Sequence, residues 1–152
     1  MRPGAVARVW ADVQETFRAA VLGPAFEEAC RAWTARFAPP STLGGSVVRV
    51  GRTVLTDRGK RTTQQVDVIA FGEWHPNGRR RVLVLGEAKY GQVMSAKHLE
   101  RLRRVRDLLA ARDDLDLEGC HLACFSAAGF APALAQQQDA LLVDLPRLYG
   151  EA

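Results

Sequence analysis

The sequence is poor in the features that would assign it at once. Its 152 residues include three cysteines, Cys30, Cys120 and Cys124, an odd number that cannot all pair. Each lies in an apolar segment where a reduced thiol packs as a small hydrophobe, so a disulfide scaffold is excluded and a reducing, cytoplasmic setting is expected. No stretch approaches the ~20 consecutive apolar residues that span a bilayer. The opening Met1-Arg2-Pro3-Gly4 lacks the apolar core of an export signal, which together predicts a soluble chain with no membrane attachment. The phosphate-loop pattern G-x-x-x-x-G-K-[ST] occurs nowhere, excluding ATP hydrolysis by that device. Repeats, low-complexity tracts and long internal linkers are missing as well, and His75, His98 and His121 are too scattered to build a zinc site with the cysteines.

What is present is a 47% hydrophobic chain, long enough for one domain, residues 1–152, that buries about 70% of the surface its unfolded form exposes. The net charge of +4 and a pI near 9.3 tilt it weakly toward polyanionic partners, because clustered cations gain affinity by releasing phosphate counterions. Helical spacing from Val6 to Val21 predicts an N-terminal helix, residues 1–22, preceding the core and ended by Gly23-Pro24. A second helix carries Phe26, Ala29, Cys30, Trp33 and Phe37 on one stripe and stops at Pro39-Pro40. Strands are expected at Ser46–Leu55 and Thr62–Phe71, and after the Pro76-Asn77-Gly78 turn the run Val82-Leu83-Val84-Leu85 reads as a central strand buried on both faces. Ser95 caps an arginine-rich helix to Arg112 with Leu99, Leu102, Val105 and Leu109 inward. A strand at Cys120–Phe125, a helix at Pro132–Gln138 and a strand at Leu141–Leu145 complete an α/β order ααβββαβαβ.

Chemistry enters at the end of the central strand. Residues i and i+2 of a strand share a face, so Glu87 and Lys89 project together from an otherwise apolar segment. A charged pair there carries a desolvation cost that is met if the groups pair, reach solvent or hold a metal ion. Asp67, between Val66 and Val68, is the same anomaly on the preceding strand. Two acids and a lysine suit metal-assisted phosphodiester hydrolysis: carboxylates bind a hard Mg²⁺ or Mn²⁺, and the lysine orients water and offsets developing charge. From spacing alone, a structural ion pair explains the residues equally well.

Asp67 followed by Glu87-Ala88-Lys89 on the next strand resembles the split signature of the PD-(D/E)xK nuclease-like superfamily. Gly23-Pro24-Ala25-Phe26-Glu27-Glu28, Val66-Asp67-Val68-Ile69, Gly86-Glu87-Ala88-Lys89 and Phe125-Ser126-Ala127-Ala128-Gly129-Phe130 resemble, in this order, the C-terminal domain of archaeal-type AAA ATPases. The resemblance implies a restriction-endonuclease-like three-layer α/β/α fold with a mixed sheet, Mg²⁺ or Mn²⁺ on Asp67 and Glu87, and an ATPase associated in the same chain or in another. Superfamily members often draw a further acid from the first core helix. Of the two choices, Glu27 lies at the edge of the buried face and Glu28 points away, so Glu27 is the candidate helper of catalysis and metal, with an ordinary boundary charge as its alternative. Val66 stands where the superfamily name has proline, and Val50-Gly51-Arg52-Thr53-Val54 lacks the tryptophans usual in that strand.

Phosphate contacts are expected from Arg79, Arg80 and Arg81 after the turn and from Lys97 near a helix start. Arg101, Arg103, Arg104 and Arg106 are read as a solvated face paired with nearby acids. Ser126 has no histidine partner and is read as the cap of the next helix, and Cys120 and Cys124 as core. Two functions follow: a metal-dependent nuclease acting on nucleic acid, chiefly DNA, or a silent nuclease-fold module that binds DNA or regulates a partner ATPase. A third, an α/β domain of unrelated function, stays open, as does a homodimer.

Overall fold

Runs of β-branched residues from Thr62 to Trp74 (β2) and from Arg80 to Lys89 (β3) form the two long strands on which the fold is built. The computed structural model describes residues 3–150. Helix α1 (Pro3–Phe17) leads through a π-helical turn at Arg18–Leu22 into α2 (Gly23–Arg36), and α3 (Pro40–Leu43) precedes β1 (Arg49–Asp57). After β3 come α4 (Ala96–Ala110), β4 (Leu115–Asp116), β5 (His121–Ser126), α5 (Pro132–Ala135), β6 (Ala140–Val143) and α6 (Leu145–Leu148).

The six strands make one mixed α/β sheet in the order β1-β2-β3-β5-β6, with β4 pairing the start of β3. β1, β2 and β3 are antiparallel neighbours, whereas β3, β5 and β6 run parallel, β5 and β6 each being reached through a helix-bearing crossover. One face of the sheet packs Val66, Ile69, Leu85 and Cys124 against Leu99, Leu102 and Val105 of α4. The other packs Val68, Ala70, Ala88 and Phe125 against Phe26, Cys30 and Trp33 of α2. β3 lies between them, which is why its run reads as continuously apolar.

Five expectations are revised. The α2 stripe buries Phe26, Cys30 and Trp33, but Ala29 is exposed and Phe37, past the helix end at Arg36, is 71% exposed. The N-terminal helix does not end at Gly23-Pro24, because the backbone passes from α1 through the π turn into α2 without leaving helical geometry. Pro24 cannot donate its backbone hydrogen bond, and a widened turn just before it absorbs that loss. The short elements α3, β4 and α6 are additions, and the helix expected at Pro132–Gln138 is a single turn ending at Ala135. Ser126 does not cap that helix, whose N-cap is Ala131; its hydroxyl donates to Gln92 O (2.9 Å) and accepts from the Ala128 and Gly129 amides (both 3.1 Å), tying the β5 end to the loop after β3. Among the described residues no helix is long and apolar enough to cross a membrane.

Two irregularities shape the end of the sheet where the acids lie. Gly51 pairs with Ile69 but Thr53 with Val66, so β2 carries one extra residue, a bulge at Asp67–Val68 opposite Arg52. The β2–β3 pairing then runs from Trp74↔Arg80 to Val68↔Gly86 and no further. Gly86 itself is required by space: a Cβ there would sit 2.8 Å from the buried Phe125 ring and 3.2 Å from Val68 Cβ.

Candidate active site at the parting of two strands

Asp67 and Glu87 occupy the first positions beyond the last β2–β3 pair. Where the ladder ends, a backbone N–H loses its strand partner, and the Asp67 side chain replaces it: Ala88 N donates to Asp67 Oδ2 at 2.9 Å. Gln65 Nε2 donates to Asp67 Oδ1 at 3.1 Å, and Arg31 Nη1 of α2 donates to the Asp67 carbonyl at 2.9 Å. The aspartate is 6% exposed, yet both its oxygens are hydrogen-bonded.

Glu87 is more enclosed, at 1% exposure. Its Oε1 receives a charge-assisted hydrogen bond from Arg101 Nη2 of α4 and lies 3.6 Å from Lys89 Nζ. Its Oε2 is buried with no hydrogen-bond partner. A carboxylate oxygen desolvated without a donor is costly, so this atom marks a place where the protein alone leaves a charge incompletely solvated.

The two acids draw their neighbours from different faces. Those of Glu87 come from α4 and from Cys124 on β5, whose thiol is pushed up to about 12 by burial first and the Glu87 charge second. Those of Asp67 come from α2, where burial and then the Asp67 charge raise the Cys30 thiol well above its ordinary range. Glu27 belongs to this second group: its carboxyl is raised by its own burial first and by Asp67 next, against the lowering pull of Arg31, Lys89 and Arg52. Lys89 is the side chain both groups share, pairing with Glu87 and lowering Glu27. Tyr90 packs edge-on against Phe26 at 5.7 Å, holding this end of β3 to α2. Glu28 is exposed, as its helical phase predicts.

A cleft of about 360 Å³ opens here, lined by Glu87, Lys89, Ser95, Lys97, His98 and Arg101 among others. Compared with known proteins, the chain matches no family model, no curated protein and no solved structure. Its site is therefore read from its own geometry.

Of the expected phosphate contacts, Lys97 lines this cleft, but Arg79, Arg80 and Arg81 are not brought to it. They stand at the opposite end of β3, with Arg81 and Glu87 about 20 Å apart along the strand. Their side chains are engaged there: Arg79 Nη2 donates to Leu115 O at 2.8 Å, Arg80 lies over the Phe71 ring at 4.2 Å, and Arg81 Nη2 donates to Gly44 O at 3.3 Å. Arg103, Arg104 and Arg106 are paired with acids as expected. Arg101 is the residue that sequence reasoning missed. It flanks the inward Leu102, and only a long stem reaching back over the helix edge lets it meet an acid on another element. The one signal was its spacing four residues after Lys97, which puts both on one helix face.

Whether a divalent ion suits this site turns on its donors. Among the described residues no three Asp, Glu, His or Cys side chains gather closely enough to hold a metal ion by themselves. Mg²⁺ does not require that, since it keeps several waters and is commonly held by one or two carboxylates plus substrate phosphate oxygens. The unpartnered Glu87 Oε2 is a hard anionic donor of the kind such an ion takes, and Asp67, on the neighbouring strand, is the second carboxylate at this end of the sheet, its oxygens accepting from Ala88 N and Gln65 Nε2.

Proposed function

We propose that this protein is a metal-dependent phosphodiesterase of nucleic acid, chiefly DNA, on a restriction-endonuclease-like fold. One observation carries the reading: two buried acids stand at the first positions beyond the end of the β2–β3 pairing, with a lysine 3.6 Å from one of them and one carboxylate oxygen left without a donor. Asp67 serves the backbone of β3 through Ala88 N, but no hydrogen bond of the described residues uses Glu87 Oε2.

Asp67 and Glu87 would hold Mg²⁺ or Mn²⁺, and when bound that ion polarises the scissile phosphate and acidifies a water. The remaining work belongs to the chain. Lys89, 37% exposed along its side chain and pinned by Glu87, presents an ammonium that orients water and offsets charge building on the phosphate. Glu27, whose carboxyl feels the charges of Asp67 and Lys89, would assist Asp67 and Glu87 at the ion, as the resemblance implies. Arg101 balances Glu87 until a polyanion enters the cleft. An ATPase companion remains a proposal resting only on the four resembling segments.

A second reading has its own support. Arg101 already supplies a cation to Glu87, as in a module that keeps the fold and binds DNA without cutting it. The two separate on incubation with supercoiled, linear and single-stranded DNA and with RNA, in Mn²⁺ or EDTA, beside Asp67→Ala and Lys89→Ala. Cleavage that needs the metal and disappears in both variants is expected; binding that persists in both without cleavage at any metal concentration refutes the enzyme.

A further inference from the structure

We propose that a second, adjoining groove, between α4 and the tip of the β1–β2 hairpin, is the track along which the phosphate backbone of a nucleic acid lies. This deepens the proposed function by naming how the polyanion would be held, and it rests on that reading for the choice of polyanion.

The groove encloses about 650 Å³ and is lined by five cations, Lys60, Lys97, Arg101, Arg103 and Arg104, against two acids, Glu100 and Asp107. It is continuous with the Glu87 cleft, because Lys97 and Arg101 line both. A chain lying in it would therefore pass directly over the candidate active site. Lys97, Arg101 and Arg104 follow each other at four- and three-residue spacing, so they form one row covering about 10 Å of helix.

The charges differ in how far they are already satisfied. Arg103 is paired with Glu100 and Asp139, and Arg104 with the buried Asp57. The pairing of Arg104 is structural, since Asp57 also accepts from Lys60 N at 3.1 Å and so fixes the hairpin turn against α4. By contrast Lys60 and Lys97 are exposed and make no ion pair with a described residue. Arg58 and Arg61, beside Lys60 on the turn, are likewise exposed and unpaired among the described residues. Arg61 holds the turn with φ of 54°, a conformation few residues other than glycine adopt cheaply. Lys60 adds only a coulombic pull on Asp57, and mutual repulsion works against three cations crowded without an ion pair on a four-residue turn. Phosphates spaced along a backbone are the ligand that such a row neutralises, and the expected signature is counterion release.

The test is fluorescence anisotropy of a labelled 20-base-pair duplex, in EDTA so that no cleavage intervenes, across a salt series. Lys60→Ala/Lys97→Ala is compared with Arg36→Ala/Arg49→Ala, which removes the same charge from exposed positions elsewhere. All four side chains are exposed and their removal costs little stability, so both variants fold. The groove variant is expected to bind about tenfold more weakly at low salt, with the slope of log K against log salt shallower by about 2, while the control stays near wild type. Binding within twofold of wild type overturns the proposal, and so does an equal loss in the control, which would reduce the effect to net charge. Groove-dependent binding by a protein that never cleaves in Mn²⁺ upholds the track and refutes the nuclease; cleavage with groove-independent binding does the reverse.

Discussion

If Arg101 stands in for a metal ion at Glu87, the two should compete, and competition is measurable without any substrate. Replacing Arg101 with glutamine leaves Glu87, 1% exposed, with only Lys89 at 3.6 Å as counter-charge. Removing one partner of a fully buried pair costs about 3–5 kcal/mol. Arg101 is 42% exposed, so screening reduces this to roughly 1–3 kcal/mol. At about 2–4 °C per kcal/mol for a chain of this length, Arg101→Gln in EDTA should melt some 3–10 °C below wild type. A metal that binds only the folded state adds about 2.7 kcal/mol at a hundred times its Kd. Titrated with Mn²⁺, Arg101→Gln should therefore regain most of its loss and show a larger upward shift than wild type, because no guanidinium charge beside Glu87 repels the ion. Glu87→Gln should show none. Differential scanning calorimetry or fluorimetry reads all three. A Mn²⁺ shift surviving in Glu87→Gln would refute the assignment, as would an Arg101→Gln protein as stable in EDTA as wild type.

Three further outcomes follow from the same geometry. Gly86→Ala forces a methyl into the Phe125 ring and should cost about 1–3 kcal/mol in urea unfolding, since neither the ring nor Val68 has room to retreat. Asp57 is held down to about 2 by its hydrogen bonds from Arg104; its folded pKa lies below its unfolded one, so its stabilisation is complete above about pH 4 and is lost as pH falls toward 2. Melting curves of Asp57→Asn should accordingly show a shallower acid decline than wild type over that window. Burial pushes the Cys124 thiol up to about 12 and leaves it 0% exposed, so at pH 8 an aromatic disulfide reagent should modify it only as fast as the protein opens, and faster labelling would contradict its packing.

Asp67, Glu87 and Lys89 were conspicuous in the sequence for a plain reason: charge inside a β-branched run conflicts with the local pattern, and the conflict shows without coordinates. The strands, the central position of β3 and the two-faced burial were legible in the same way, as were the outward phase of Glu28 and the inward stripe of α4. Spacing could not show where pairing stops. The bulge at Asp67–Val68 and the end of the β2–β3 ladder at Gly86 depend on the register between segments, and that register makes Asp67 the acceptor for Ala88 N. Nor could adjacency in the chain distinguish the arginines. Arg79, Arg80 and Arg81 follow a turn and looked available, yet β3 carries them to the far end of the sheet. Arg101 looked like one of several surface cations, yet the packing of α4 on β3 delivers it to Glu87. The apolar spacing determined the buried faces of β3 and α4 and most of that of α2, where Phe37 past the helix end is exposed instead, because burial is a local preference. Which charges then met was decided only when the elements packed, because ion pairs form between side chains that the chain itself keeps far apart.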